Sequence, residues 1–476
     1  MTPLWTAADA VLATGGTTHG AWAAFGVSID SRAIEKGDLF VALKDERDGH
    51  EFVANALANG AAAAMVSFRP EGVAADAPLL IVSDVLVALE NLAVAARKRT
   101  SAKVVAITGS VGKTSTKDML QTVLGKQGLV HAAVKSLNNH WGVPLTLARM
   151  PEKTEYALIE IGMNHPGEIT PLSRLARPDI AIVTTVAEAH MAAFASVSEI
   201  ACAKAEIFEG LPVGGTAILN ADIPTYDILA QAAARANATI KRFGENPDAE
   251  FHLSEVRLSG GTTSVRGTIN GAPILFKIGA PGRHLASNAL AVLAAVEAVG
   301  ADLAIAALDL ANWFPPQGRG QRHWIRLDPI EEALRIELID DAYNANPASM
   351  AAALDVLAAS HPINGLGRVF AGRRIAILSD MLELGPNEAE NHRVIADHPA
   401  VALIDQIHVA GPLMRNLHRA LPAEKRGEWH ETAQELAKRV HRLFDAGDVV
   451  MVKGSKGSKA ALVVDAIKKL GQANGT

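Results

Sequence analysis

Lys113 and Thr114 close the turn Thr108-Gly-Ser-Val-Gly-Lys-Thr114, which lies inside the stretch from Ala102 to Thr116. An apolar run precedes this turn, and the pattern predicts a helix beginning near Lys113. Such a turn lays backbone N–H groups around an anion, and the helix N-terminus adds positive potential. Gly109, Ser110, Val111, Gly112, Lys113, Thr114 and Ser115 are therefore candidate nucleotide ligands. Lys113 would reach the terminal phosphates, and the Thr114 hydroxyl could ligate Mg²⁺. The match to the common phosphate loop is partial: Ile107 stands where that loop has its first glycine, and the nearer glycine is Gly109. A glycine turn with a chance Gly-Lys-Thr is the competing reading.

Other groups of the right type sit at predicted strand ends. Glu160 ends the apolar strand Tyr156-Ala-Leu-Ile-Glu-Ile-Gly162, and His190 follows the strand Asp179-Ile-Ala-Ile-Val-Thr-Thr185. Ligands of parallel sheets bind beyond the carboxyl ends of strands, where the loop, Glu160 and His190 would converge. Mg²⁺ on a triphosphate takes few protein carboxylates besides phosphate oxygens and water, which suits Glu160. A lone histidine such as His190 is as readily a packed side chain as a ligand. Lys204, in Ala201-Cys-Ala-Lys-Ala-Glu-Ile-Phe208, reads as an exposed helix lysine, because lysine is rarely buried. Further on, Asp341 follows an apolar strand where doubly wound folds place a ribose-binding acid. Lys453-Gly-Ser-Lys-Gly-Ser-Lys459 is a basic, glycine-rich turn suited to an anionic group. Asp30-Ser31-Arg32 reads as ordinary turn chemistry.

These groups need scaffolds, and the chain supplies several. Its 476 residues exceed a single core and fit about three domains. Apolar residues make up 49% and charged residues 20%, the balance of a globular protein. The fold class expected is α/β in three domains. Residues 1–100 form a small mixed α/β unit, 101–316 a parallel-sheet ATPase unit, and 317–476 a second doubly wound, Rossmann-like unit. Asn270-Gly271 between two extended runs predicts a hairpin annexed to the central sheet. Phe314-Pro-Pro-Gln-Gly-Arg-Gly-Gln321 reads as an interdomain linker. The apolar run from Ala289 to Ala311 carries Glu297, Asp302 and Asp309, so it predicts one or two buried helices rather than a membrane span. The net charge is −6 with no concentrated basic face, which argues against nucleic-acid binding. Cys202 is the single cysteine, excluding an internal disulfide or a cysteine-rich zinc site. No signal peptide is visible, and a cytoplasmic protein is expected.

Taken in order, the segments resemble the Mur ligases of peptidoglycan synthesis over essentially the whole chain. The resemblance is carried by Thr108–Thr114, Asn138-Asn-His-Trp-Gly-Val-Pro-Leu-Thr146, Ile159-Glu-Ile-Gly-Met-Asn164, Ala189-His190 and Ala203-Lys-Ala-Glu-Ile-Phe208. It continues through Gly282-Arg-His284 with Asn288, Gly318-Arg319, Asp341-Ala-Tyr-Asn-Ala-Asn-Pro347, Asp380-Met-Leu-Glu-Leu-Gly385 and Val452-Lys-Gly-Ser-Lys456. The glycine spacing of the loop is the spacing this family uses. Asn344-Ala-Asn-Pro347 and Asp380–Gly385 point to the branch that adds D-alanyl-D-alanine. Two departures are small: Ser379 stands where the family commonly has glycine, and His140-Trp141 fills a variable pair.

The resemblance implies an ATP-dependent ligase that joins D-alanyl-D-alanine to UDP-N-acetylmuramoyl-tripeptide in cell-wall growth and division. It implies domains for uridine nucleotide, for ATP, and a mobile C-terminal unit, in a monomer without membrane or nucleic-acid partners. Lys113, Glu160, His190 and Lys204 become catalytic candidates. Lys204 matches a carbamylated lysine serving Mg²⁺ with His190, while Thr114 and Glu160 serve a second Mg²⁺. Asn288, Arg319 and Asp341, with Tyr343 and Asn344 beside them, match positions that hold ATP. Ser31, Arg32, Asn138, Asn139, Asn346, Lys453 and Ser455 become substrate-binding candidates. A sibling amide ligase, of the Mur or folylpolyglutamate type, and a phosphate-loop NTPase without ligation are the alternatives.

Overall fold

The structure is a computed structural model that describes residues 2–134, 136–188, 191, 193–259 and 261–472. Three large sheets organise the described residues, one in each third of the chain, beside a two-stranded pairing of Trp5–Thr6 with Ala23–Ala24. The first has the spatial order Thr17–Thr18, Leu79–Ile81, Ala63–Val66, Asp38–Val41 and Gly26–Ser28. Its pairs are parallel except for the short edge strand at Thr17–Thr18. The helix Val85–Arg99 starts at an Asp84 N-cap, whose side chain accepts from the Val87 N–H, and leads into the second unit.

The central sheet has nine strands. Lys103–Thr108 lies between Tyr156–Glu160 and Ile180–Val183, in parallel with both. Its alternate residues feed two cores: Val105 and Ile107 pack on one face, Val104 and Ala106 on the other. A strand buried on both faces must be apolar throughout, which is why this segment reads as an unbroken hydrophobic run. The annex is present: Phe251–Ser259, Thr262–Ile269 and Ala272–Ile278 form an antiparallel meander closed at Asn270-Gly271. The long apolar run resolves into two helices, Arg283–Val299 and Leu303–Asp309, separated by Gly300 in the left-handed region. Nearly every residue of the first from Leu285 to Val296 is buried, each large side chain contributing about 1.5–3 kcal/mol of apolar transfer. Among the described residues, no helix is long and apolar enough to cross a membrane.

The third sheet has the order Gln321–Arg326, Arg335–Asp341, Val449–Lys453, Arg374–Ser379, Gln406–Ala410 and Arg426–His430. Its pairs are parallel apart from the first, which is antiparallel. The expected linker therefore ends at once in an edge strand: Gln321 pairs with Asp340. The sequence reading missed that strand and the opposite edge strand at Arg426–His430.

Candidate active site

The helix Lys113–Leu124 grows directly from the turn that follows Lys103–Thr108. Gly109 has φ +149°, and a Cβ there would collide with the Thr184 hydroxyl, so only glycine lets the loop approach the neighbouring strand. That hydroxyl donates to the Val111 carbonyl at 2.5 Å, and Ser110 is held by its N–H to Thr185 O and its hydroxyl to Ala187 O, both at 2.9 Å. The loop is thus clamped to the end of Ile180–Val183 rather than left to fluctuate. Thr184 was not singled out from sequence, although its place at a strand end carried a signal.

Glu160 is 1% exposed, and both its oxygens accept hydrogen bonds: from Thr114 Oγ1 at 3.0 Å and Asn138 Nδ2 at 2.7 Å. The Asn138 carbonyl accepts from Gly162 N–H at 2.8 Å, so this loop and the end of the Tyr156–Glu160 strand form one unit. Asn139 turns inward to accept from the Gly142 N–H at 2.9 Å. Lys113 donates to the Gly109 carbonyl at 2.6 Å. Its enclosure by protein lowers its ammonium pKa; Glu160 opposes this and Arg319 adds to it.

Lys204 corrects the expectation of an exposed lysine. It sits in the last turn of Val197–Ala205 and is 2% exposed. Its pKa falls well below the ordinary lysine value, chiefly through desolvation and secondarily through the nearby Lys113. Among the described residues, no hydrogen bond or ion pair engages its amine. A buried ammonium without an anionic partner is costly, so burial shifts the balance toward the neutral amine. His190 lies outside the described residues.

The opposite side of the site comes from the C-terminal sheet. A cavity of about 540 Å³ lies between the two units and is bordered by Ser110–Ser115, Ser136, Asn138, Asn139, Glu160, Asn288, Arg319, Asp341, Tyr343, Asn344, Asn346 and Lys453. Asn288, on the helix Arg283–Val299, abuts the loop: a Cβ on Gly112 would lie 2.9 Å from its Oδ1. Arg319 crosses between the units, donating to Ser136 Oγ at 3.0 Å while its guanidinium lies 4.4 Å from the Tyr343 ring centroid. Lys453 donates to Asp341 Oδ2 at 2.7 Å and to the Asn344 carbonyl at 3.1 Å. Burial raises the Asp341 pKa and the Lys453 charge opposes that rise. His284, absent from the binding candidates, borders the cavity and is exposed to it. Desolvation by the protein around the cavity, and secondarily the Lys453 charge, lower its pKa to about 4.

Three candidates have local structural partners. Asn346 is the N-cap of Pro347–Ala358, accepting from Ser349 N–H at 2.9 Å, while also bordering the cavity. Ser455 accepts from Leu382 N–H at 3.0 Å and does not border the cavity. Ser31 and Arg32 lie in the first unit, away from this cavity; Arg32 makes a two-point pair with Asp30 at 2.9 and 2.8 Å.

The donor set suits Mg²⁺. Thr114 and Glu160 offer hard oxygen atoms side by side, and the Glu160 carboxylate is held by two uncharged donors, so its charge remains available. Among the described residues, no group of three or more His, Cys, Asp and Glu side chains could hold a metal alone.

A phosphate loop and a buried carboxylate, facing Arg319 and the strand-end Asp341 of the C-terminal unit, define an ATP-using enzyme. Family models agree with that class. "Mur ligase family, catalytic domain" matches residues 25–105, "Mur ligase middle domain" 107–296, and "Mur ligase, glutamate ligase domain" 325–456. The UDP-N-acetylmuramoyl-tripeptide–D-alanyl-D-alanine ligase of Escherichia coli is 37% identical, covering 94% of this chain and 94% of that protein. The enzyme of the same name from Rickettsia prowazekii is 34% identical over 92% of this chain and 94% of its own length. A crystal structure of MurF from Acinetobacter baumannii superposes with a TM-score of 0.81 at 28% identity, over 98% of this chain and 99% of that one. The chain belongs to the Mur ligase family.

Proposed function

We propose that this chain joins D-alanyl-D-alanine to the terminal carboxylate of UDP-N-acetylmuramoyl-tripeptide at the expense of ATP. The observation that carries the reading is full-length similarity to ligases of that name, combined with a phosphate loop and buried carboxylate facing a second domain. On this reading residues 1–100 bind the uridine nucleotide, with Ser31 and Arg32 contributing. Residues 101–316 bind ATP, and 317–476 complete the site around ATP and the dipeptide. The chain acts as a cytoplasmic monomer.

A carboxylate is a poor electrophile, so it must be activated before an amide can form. The tripeptide carboxylate attacks the γ-phosphorus of ATP, ADP leaves, and an acyl phosphate results. The free amine of D-alanyl-D-alanine adds to the acyl carbon, loses a proton, and the tetrahedral intermediate expels inorganic phosphate. Lys113 and the loop N–H groups meet the charge spread over the transferring phosphoryl group. Arg319 and Asp341 close over the nucleotide from the other domain, and that closure keeps water from the acyl phosphate.

Thr114 and Glu160 would hold one Mg²⁺, and Lys204 with His190 a second. Bound there, the ions supply charge neutralisation at the phosphates. Lys204 serves as its carbamate: the neutral amine adds CO₂ and releases a proton, turning a would-be cation into an oxygen donor. Burial without a counter-ion supports this, because the amine nucleophile must be unprotonated. The test is product analysis: mass spectrometry should find the UDP-linked pentapeptide when both acceptor and dipeptide are supplied with ATP. ATP turnover without amide product would refute the reading.

A further inference from the structure

Glu206 stands immediately after the helix Val197–Ala205, two residues beyond Lys204, and its carboxylate reaches across to a different helix. One oxygen accepts from Gly167 N–H at 2.7 Å. The other accepts from Ile169 N–H at 3.1 Å, Thr170 N–H at 3.0 Å and Thr170 Oγ1 at 3.3 Å. These are the orphan donors at the start of Ile169–Ala176. Helices usually satisfy them with their own N-cap side chain. Here the residue at that position, Glu168, makes no cap bond; it turns back to accept from Asn164 N–H at 2.7 Å and pairs with His165 at 3.0 Å.

The consequence is geometric. The segment running from Glu160 through Gly162, Met163 and Asn164 borders the cavity, and its far end leads into the start of Ile169–Ala176. Glu206 holds that start, and it directly follows the helix turn bearing Lys204. Ser173 Oγ adds a second tie, donating to the Ile207 carbonyl at 2.5 Å. Ile169 and Leu172 also pack in one core with Ala203, Ile207 and Phe208, so a local cap would stabilise the helix equally well but add no polar tie to the Lys204 segment. The long-range cap does both.

We propose that Glu206 is a positioning residue of the ligase reaction, setting the spacing between Glu160 and Lys204 by capping Ile169–Ala176 from the end of the Lys204 helix. The proposal rests on the reading of those two residues as metal ligands. Its test uses the full-length chain with Mn²⁺ and ADP, reading metal affinity by electron paramagnetic resonance, ADP affinity without metal by calorimetry, and thermal unfolding. E206Q puts an amide NH₂ among N–H donors, so the clamp loosens. Mn²⁺ should bind about tenfold or more weakly, the scale of losing an outer-shell support, while metal-free ADP affinity holds. E206D keeps the charge and shortens the reach by one methylene; it should fall between wild type and E206Q, and it serves as the test if E206Q fails to fold.

K204A separates the two levels of the argument. If K204A weakens Mn²⁺ binding while E206Q and E206D match wild type in metal affinity and differ only in melting temperature, Glu206 is merely a helix cap and the proposal is overturned. If K204A itself binds Mn²⁺ as wild type does, the ligand reading beneath the proposal falls and takes it along. Loss of affinity in both K204A and E206Q supports it.

Discussion

Replacing Lys204 by methionine should split stability from activity in opposite directions. The methionine keeps most of the stem's volume and removes an amine that is 2% exposed and, among the described residues, lacks an anionic partner. Desolvation and Lys113 both disfavour the ammonium there. In CO₂-free buffer at a pH below the ordinary lysine value, burial of the wild-type ammonium therefore opposes folding, a cost K204M does not have. K204M should melt at the same temperature as the wild type or higher. The pH dependence has a definite sign. Between the lowered folded pKa and the ordinary value of 10.5, the unfolded chain binds a proton that the folded chain does not. Wild-type stability should accordingly rise relative to K204M as pH increases through that window. Activity goes the other way: losing a ligand of the Mg²⁺ that neutralises charge at the transferring phosphoryl group costs on the order of 10²–10³ in kcat, or about 3–4 kcal/mol. K204A, which leaves space, should regain part of that loss with acetate or propionate, whereas K204M should not. The assays are phosphate release and thermal scans from pH 6.5 to 9.5 in degassed buffer. A K204M enzyme with near-wild-type turnover, or one that melts far below wild type at every pH, would refute the reasoning.

Two further changes test other parts of the site. E160Q keeps the bond from Thr114 but removes the charge and repels the Asn138 amide; kcat should fall by about 10²–10³, with higher Mg²⁺ required for half-maximal rate. Steady-state kinetics across a Mg²⁺ titration checks this. G109A forces a Cβ into the Thr184 hydroxyl at a φ that alanine resists, so ATP affinity measured by calorimetry should fall by at least tenfold, or about 1.4 kcal/mol. The double variant G109A/T184A should recover little, because the backbone strain remains.

Much of this architecture is written in local pattern. The strand Lys103–Thr108, its turn and the helix from Lys113 follow from an apolar run, placed glycines and a following helical period. Glu160 was legible because one acid at the end of an apolar strand stands out. Lys204 was misjudged from its residue type, since a lysine among alanines on a helix shows no sign of burial until packing against other helices is known. The edge strand Gln321–Arg326 escaped notice because its residues are half-exposed and mostly polar, leaving no clear alternation, and because its partner lies beyond a turn. Glu206 shows the same limit: its four acceptor bonds go to residues 36–39 positions away, and nothing in its own neighbourhood marks it. The pairing of Lys453 with Asp341 joins strands more than a hundred residues apart.

The most direct test of the central claim is ADP release from the purified chain with ATP and Mg²⁺, measured with UDP-N-acetylmuramoyl-tripeptide and D-alanyl-D-alanine together, each alone, and neither. The account predicts stoichiometric ADP and pentapeptide only when both are present. ADP formed at the same rate without them, or with no amide product, would contradict it.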